Sequence, residues 1–147
     1  MIDPNSHKQA RYSAMNYLAR REHSSLELKN KLIHKGFLAD IVDEVLYKLQ
    51  IGKLLSDTRF AESYIRSRVN KGFGPVRIRQ ELQQRGITGE LVTELINSND
   101  WLTNIQQTYK KRFGSTSPKN KQELAKQIRF LQAKGFTSEQ IKTVIKF

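Results

Sequence analysis

Three stretches of the chain, Leu32-Ile33-His34-Lys35-Gly36-Phe37, Leu82-Gln83-Gln84-Arg85-Gly86-Ile87 and Leu131-Gln132-Ala133-Lys134-Gly135-Phe136, align on a glycine that follows a cation and precedes a large apolar residue. The glycines lie 50 and 49 residues apart. Downstream the match persists, with Val42, Val45 and Leu46 answering to Val92, Leu95 and Ile96, and to Ile141, Val144 and Ile145. Upstream, each stretch is preceded by a tyrosine beside basic residues: Tyr17 with Arg20-Arg21, Tyr64 with Arg66 and Arg68, and Tyr109 with Lys110-Lys111-Arg112. Self-similarity at a period of this size marks a repeat architecture. The tyrosine-to-glycine interval is 19, 22 and 26 residues, so the length changes fall between the first and second elements of each unit, where a loop absorbs them.

Within a unit the apolar spacing is helical. Leu28 and Leu32, Ile78 and Leu82, and Phe60 and Tyr64 stand at i, i+4, and Ile128 and Leu131 at i, i+3. The boundaries carry their own chemistry. Ser24 with Glu27 forms a capping box, Gly74-Pro75 puts proline at a first helical position, and Asn120 with Glu123 and Thr137 with Gln140 repeat the cap. Each repeat glycine stands where a helix must end in the left-handed conformation that glycine enters without a Cβ penalty. Sustained period-2 alternation is missing, which excludes strands. The reading is all-α, with helices expected at 8–22, 24–35, 39–51, 57–71, 75–85, 89–97, 100–113, 120–134 and 138–146. A unit of about 45 residues buries little core alone, so the expected architecture is an elongated array of three tandem three-helix repeats. Their expected bounds are 11–56, 57–100 and 101–147, after a disordered leader over 1–10. Such an array should scatter with a radius of gyration above about 15 Å, the value for a compact chain of this length; a smaller value would contradict it.

The 147 residues carry 26 Lys and Arg against 14 Asp and Glu, a formal charge of +12. That excess selects for polyanionic partners. It is unevenly placed: residues 101–147 contain ten basic and two acidic side chains. The longest apolar run is three residues, as at Val45-Leu46-Tyr47, against roughly 20 for a spanning helix and about 7–15 for a signal-peptide core. With no cysteine, disulfides, thiolate metal sites and a cysteine nucleophile are excluded, in keeping with a reducing cytoplasm.

The segment Asp57-Thr58-Arg59-Phe60-Ala61-Glu62-Ser63-Tyr64-Ile65-Arg66-Ser67-Arg68, continued by Gly72-Phe73-Gly74-Pro75-Val76-Arg77-Ile78-Arg79-Gln80-Glu81-Leu82 and Arg85-Gly86-Ile87, resembles the RecX family. Arg20-Arg21-Glu22-His23-Ser24, Glu27-Leu28 and Lys31-Leu32 in the first unit, and Trp101 with Phe130-Leu131 and Gly135-Phe136 in the third, are similar to it too. The resemblance covers about residues 11–147. It implies a cytoplasmic, monomeric negative regulator of the RecA recombinase that lodges in the groove of the RecA–DNA filament. There it would inhibit ATP hydrolysis, strand exchange and the coprotease activity toward the SOS repressor. The alternative is a helical repeat module that binds DNA directly.

Candidate contact residues come from the basic clusters. Lys110, Lys111 and Arg112 form one run, and Lys119, Lys121, Lys126 and Arg129 follow on the next helix, with Lys126 and Arg129 at i, i+3. In so basic a unit they read as a strip for phosphates or an acidic groove, preferred over a merely solvated face. Arg66, Arg68, Lys71, Arg77 and Arg79 flank the turn at Gly72-Phe73-Gly74-Pro75. They either present guanidinium forks to a partner or pair locally, as Arg77 can with Glu81 at i, i+4. Among the aromatics, Phe60 with Tyr64 and Tyr109 with Phe113 read as core stripes, Trp101 as a wedge between units, and Phe73 as the one expected to be exposed. His7, His23 and His34 have no paired metal-ligand spacing, and Gly52-Lys53 is followed by leucine, so no phosphate loop occurs. No catalytic residue, cofactor or metal is expected.

Overall fold

The computed structural model describes residues 1–145. Among these it has no strand and nine helices: α1 (His7–Arg20), α2 (Ser25–Lys35), α3 (Ala39–Ile51), α4 (Asp57–Asn70), α5 (Pro75–Gln84), α6 (Glu90–Asn97), α7 (Trp101–Phe113), α8 (Lys121–Lys134) and α9 (Ser138–Val144). Every expected helix is present. Residues 146 and 147, to which the ninth helix and third repeat were expected to run, lie outside the described residues. The predicted start signals act as caps. Ser24 Oγ accepts from the Glu27 amide at 3.1 Å while Glu27 Oε1 accepts from the Ser24 amide at 3.1 Å, and Thr137 with Gln140 reproduces the box.

Most helix ends fall within one residue of expectation; α9 stops at Val144, where Ile145 is already extended. Around α1 two boundaries differ for local reasons. The leader is not disordered through residue 10: Ser6 caps α1 by accepting from the Gln9 amide, Ala10 is fully buried, and the Leu38 amide donates to Pro4 O at 3.1 Å. At the other end α1 stops at Arg20, two residues early. Arg21 is extended so that His23 can turn inward, where its Nδ1 meets Arg21 O at 3.0 Å and its ring lies 5.8 Å from that of Tyr17.

The chain divides into two compact units, residues 1–63 with 84–87, and residues 64–83 with 88–147. The second repeat therefore contributes to both. In the first unit α1 and α2 pack on α3 around Ala10, Ala14, Leu28, Leu32, Phe37, Val42, Val45, Leu46, Leu49 and Leu55. In the second, α7 and α8 pack on α9 around Ile105, Tyr109, Leu131, Phe136, Ile141 and Ile145. Repeat register explains one anomaly: the position of Leu28 and Ile78 falls in the third repeat on Gln127, which is also buried. Its Oε1 accepts from the Tyr109 hydroxyl at 2.8 Å, which removes the penalty of an unpaired buried amide oxygen.

The repeat glycines do two jobs. Gly36, Gly86 and Gly135 all have positive φ, and the amides after Gly36 and Gly135 close six-residue turns, Phe37 to Leu32 O and Phe136 to Leu131 O. Gly135 and Gly86 also receive another helix. A Cβ on Gly135 would lie 2.3 Å from Arg77 Cβ, and one on Gly74 would lie 2.5 Å from Gly135 O. Here the start of α5 abuts the end of α8: the Gly74 amide donates to Lys134 O at 2.7 Å, the Val76 amide to Gly135 O at 2.9 Å, and Arg77 Nη1 to Ala133 O at 3.1 Å. Terminal donors of one helix thus satisfy terminal carbonyls of the other, with opposite dipole ends in contact. In the first unit the same helix ends meet, Leu26 at the start of α2 lying where a Cβ on Gly86 would be 2.9 Å away, while Arg85 pairs with Glu27 at 3.7 Å.

His23 makes the first unit sensitive to acid. Burial, with the Arg21 and Lys31 charges beside it, pushes its pKa below the ordinary imidazole value, against the opposing effect of the hydrogen bond to Arg21 O and the Glu27 charge. Neutral His23 accepts from Lys31 Nζ at 2.8 Å through Nε2. Because the folded pKa is the lower one, stability is complete above the unfolded value of about 6.5 and is lost as pH falls below it. Glu27 acts in a lower window: burial opposes its ionisation, yet hydrogen bonds from Arg21 and the Ser24 amide hold its pKa below the usual value, so its contribution fades only in stronger acid. The urea midpoint should be lower at pH 5 than at pH 7.5, and the difference should shrink in His23→Gln. An unaltered pH dependence in that variant would assign the titration to another group.

Candidate nucleic-acid interface

The second unit contains a cleft of about 550 Å³ between the α4–α5 turn, α7 and α8. Its position is set by Gly72, which has φ +87° and whose absent Cβ would lie 3.1 Å from Thr108 Oγ1. The buried Thr108 hydroxyl donates to Gly72 O at 3.2 Å and fastens the turn to α7. From α7 the cleft receives Asn104, Gln107, Thr108, Lys111 and Arg112, positions i, i+3, i+4, i+7 and i+8, which form one face of a helix. Lys71 enters from the turn, and Phe130 and Lys134, one helical turn apart, from α8.

Four cations and no carboxylate line this cleft. Among the described residues none of Lys71, Lys111, Arg112 and Lys134 makes an ion pair. Aromatic faces orient two of them: Lys134 Nζ lies 4.5 Å from the Phe73 ring centre and 5.5 Å from that of Phe130, and the Arg112 guanidinium carbon 5.5 Å from Phe130. A ring attracts a cation without cancelling its charge. The gathered charges repel one another, and an anion such as phosphate or carboxylate placed among them would relieve that repulsion. The cleft's amides and the half-buried Phe130 ring add hydrogen bonds and an apolar surface.

Of the cations proposed from sequence, Lys71, Lys111 and Arg112 meet here. Lys134 joins them although it was read only as part of the repeat signature. The signal that could have found it is its i, i+4 spacing from Phe130, beside the polar stripe on α7. Arg68 and Arg77 are used internally. Arg68 grips Glu81 with two bonds, Nε to Oε1 at 2.8 Å and Nη2 to Oε2 at 2.7 Å, Arg77 Nε reaches Oε2 at 3.4 Å, and the Tyr64 hydroxyl donates to Oε1 at 3.1 Å. Burial opposes Glu81 ionisation, but these donors and the Arg68 charge hold its pKa below the usual value. Phe73, expected to be exposed, is half-buried because the guanidinium carbons of Arg68 and Arg77 lie 3.9 and 4.3 Å from its ring centre. Among the described residues the exposed aromatics are Tyr12 and Tyr47 instead. Arg79 donates to Thr93 Oγ1 at 3.2 Å. Lys119 and Lys126 line a separate cleft with Arg112 and Glu123, and Lys110, Lys121, Arg129 and Arg66 are exposed outside both. Trp101 Nε1 donates to Ile96 O at 2.8 Å and closes the end of α6.

Among the described residues no group of three His, Cys, Asp or Glu side chains could hold a metal, and no helix is long and apolar enough to cross a membrane. The fold and cleft define a helical-repeat protein with a cationic cleft. Family models for the first, second and third three-helix domains of RecX match residues 10–49, 56–96 and 99–145. The regulatory protein RecX of Halorhodospira halophila is 42% identical over 134 residues, 90% of this chain and 83% of its own length. That of Pseudomonas entomophila is 40% identical over 89% of this chain and 86% of its own length. The crystal structure of RecX from Lactobacillus salivarius superposes with a TM-score of 0.78 at 23% identity, covering 94% of this chain and 93% of that one. The chain belongs to the RecX family of regulatory proteins.

Proposed function

We propose that the chain is a negative regulator of the RecA recombinase, acting in the cytoplasm as a monomer that binds in the groove of the RecA–DNA filament. The four-cation cleft carries this reading: it lacks any neutralising carboxylate and suits the phosphate backbone that such a filament exposes. A protein bound there obstructs the DNA and repressor paths. By favouring one filament state over another it also slows the cycling that hydrolysis requires, and so inhibits ATPase, strand-exchange and coprotease activities together. Added to RecA filaments on single-stranded DNA at low salt, the protein should lower ATP turnover at or below one copy per protomer. Unchanged turnover and strand exchange would reject the proposal.

The same cleft also favours a second reading, direct DNA binding, and affinity decides between them. Tight, steeply salt-dependent binding to free single-stranded DNA favours a DNA-binding module. Weak free-DNA binding beside strong filament binding favours the regulator.

A further inference from the structure

The joint between helix ends occurs twice within the chain, and its receiving half occurs a third time without an occupant. In the two filled joints the glycine-capped end of α5 or α8 receives the first turn of α2 or α5. The equivalent end of α2, Lys35-Gly36, is exposed. A Cβ on Gly36 would meet nothing within 4 Å, and among the described residues no hydrogen bond reaches Lys35 O or Gly36 O. Terminal repeats usually present a polar outer face. Here the opposite holds: the positions filled by Gln83 and Gln132 carry Ile33, and those filled by Thr88 and Thr137 carry Leu38, 40% and 49% exposed.

We propose that this end of α2 is a docking site for the first turn of a helix on a protein partner. The filled joints specify that helix. It has a small residue at its cap, as Ser24 and Gly74 are, and a branched aliphatic residue two positions on, as Leu26 and Val76 are. On the pattern of the α5–α8 joint it also has amides directed at Lys35 O and Gly36 O, whereas in the α2–α5 joint the Ser24 and Ser25 amides are taken by Glu27 Oε1 and Asp57 Oδ1. Dipole polarity requires its N-terminus, because the end of α2 presents carbonyls. A second copy of this chain does not match. The remaining second helix, α8, begins at Lys121, two residues before the position equivalent to Ser24 and Gly74, and carries Ala125 where Leu26 and Val76 stand.

The identity of the partner as a RecA protomer rests on the function proposed above, and the test separates the two. Ile33→Gln with Leu38→Thr installs side chains that the other repeats carry at these positions, so the fold is expected to survive, as circular dichroism and urea titration will verify. Filament affinity should fall about tenfold, with free-DNA binding at the cleft unchanged. Wild-type protein that fails to inhibit filaments rejects the function. Wild-type protein that inhibits while the double variant binds equally well rejects the docking site alone. A benzophenone amino acid at Leu38 should crosslink to the first turn of a RecA helix. Crosslinks only to DNA, or none, overturn the proposal, as do concentration-dependent dimers abolished by the double substitution.

Discussion

Changing Lys71, Lys111, Arg112 and Lys134 together to Gln is expected to weaken binding to RecA filaments on single-stranded DNA by roughly a hundredfold or more at low salt. Each cation that neutralises a phosphate releases condensed counterions, and for single strands the log–log salt slope is about 0.7 per contact, so losing four contacts flattens it by about 3. The control removes the same charge from exposed positions outside the cleft: Arg66, Lys110, Lys121 and Arg129 to Gln. That variant has the same net charge, and its affinity should stay within severalfold of wild type, since exposed charges at a distance are screened. Equal losses in the two variants would mean that charge acts collectively and that the cleft is no site. Fluorescence anisotropy across a salt series measures both quantities.

Gly135→Ala should cost about 3 kcal/mol of stability, whereas Gly36→Ala should cost only about 1 kcal/mol. Both glycines have positive φ, +101° and +118°, so alanine suffers a comparable left-handed penalty at each, about 1–2 kcal/mol. Only Gly135 adds a steric term. Its Cβ would fall 2.3 Å from Arg77 Cβ and 2.7 Å from Arg77 N, in the first turn of α5, and overpacking of this kind costs about 1–3 kcal/mol. The difference between the variants therefore isolates the joint from the cap. Urea unfolding provides the comparison, and equal losses would show that the cap alone matters. Because the same joint places the α4–α5 turn beside α8, Gly135→Ala should also weaken anion binding at the cleft.

These expectations rest unequally on sequence and on tertiary structure. The repeat glycines, the capping box at Ser24 and Glu27 and the spacing of Leu28, Leu32, Ile78 and Leu82 sufficed for nine helices and three repeats, because helix ends and apolar faces are local properties. The family was legible for the same reason, in contiguous motifs. The end of α1 was not, since it depends on burying His23 against Tyr17. The Arg77–Glu81 pair was legible from its i, i+4 spacing, but the grip of Arg68 on Glu81 and the stacking of both guanidinium groups on Phe73 were not, since they join three different segments.

By sequence alone the positive charge belonged to runs, and Lys110, Lys111 and Arg112 formed the most prominent. Helical geometry divides that run: successive residues are about 100° apart, so Lys111 and Arg112 turn toward the cleft while Lys110 does not line it. Tertiary packing then adds Lys71 from one loop and Lys134 from another helix, 63 positions later in the chain. Local sequence thus determined the helices, the repeats and the sign of the charge. Which cations converge without a neutralising carboxylate was decided only when α4, α5, α7 and α8 came together, because convergence is a property of distances in space that linear spacing does not encode.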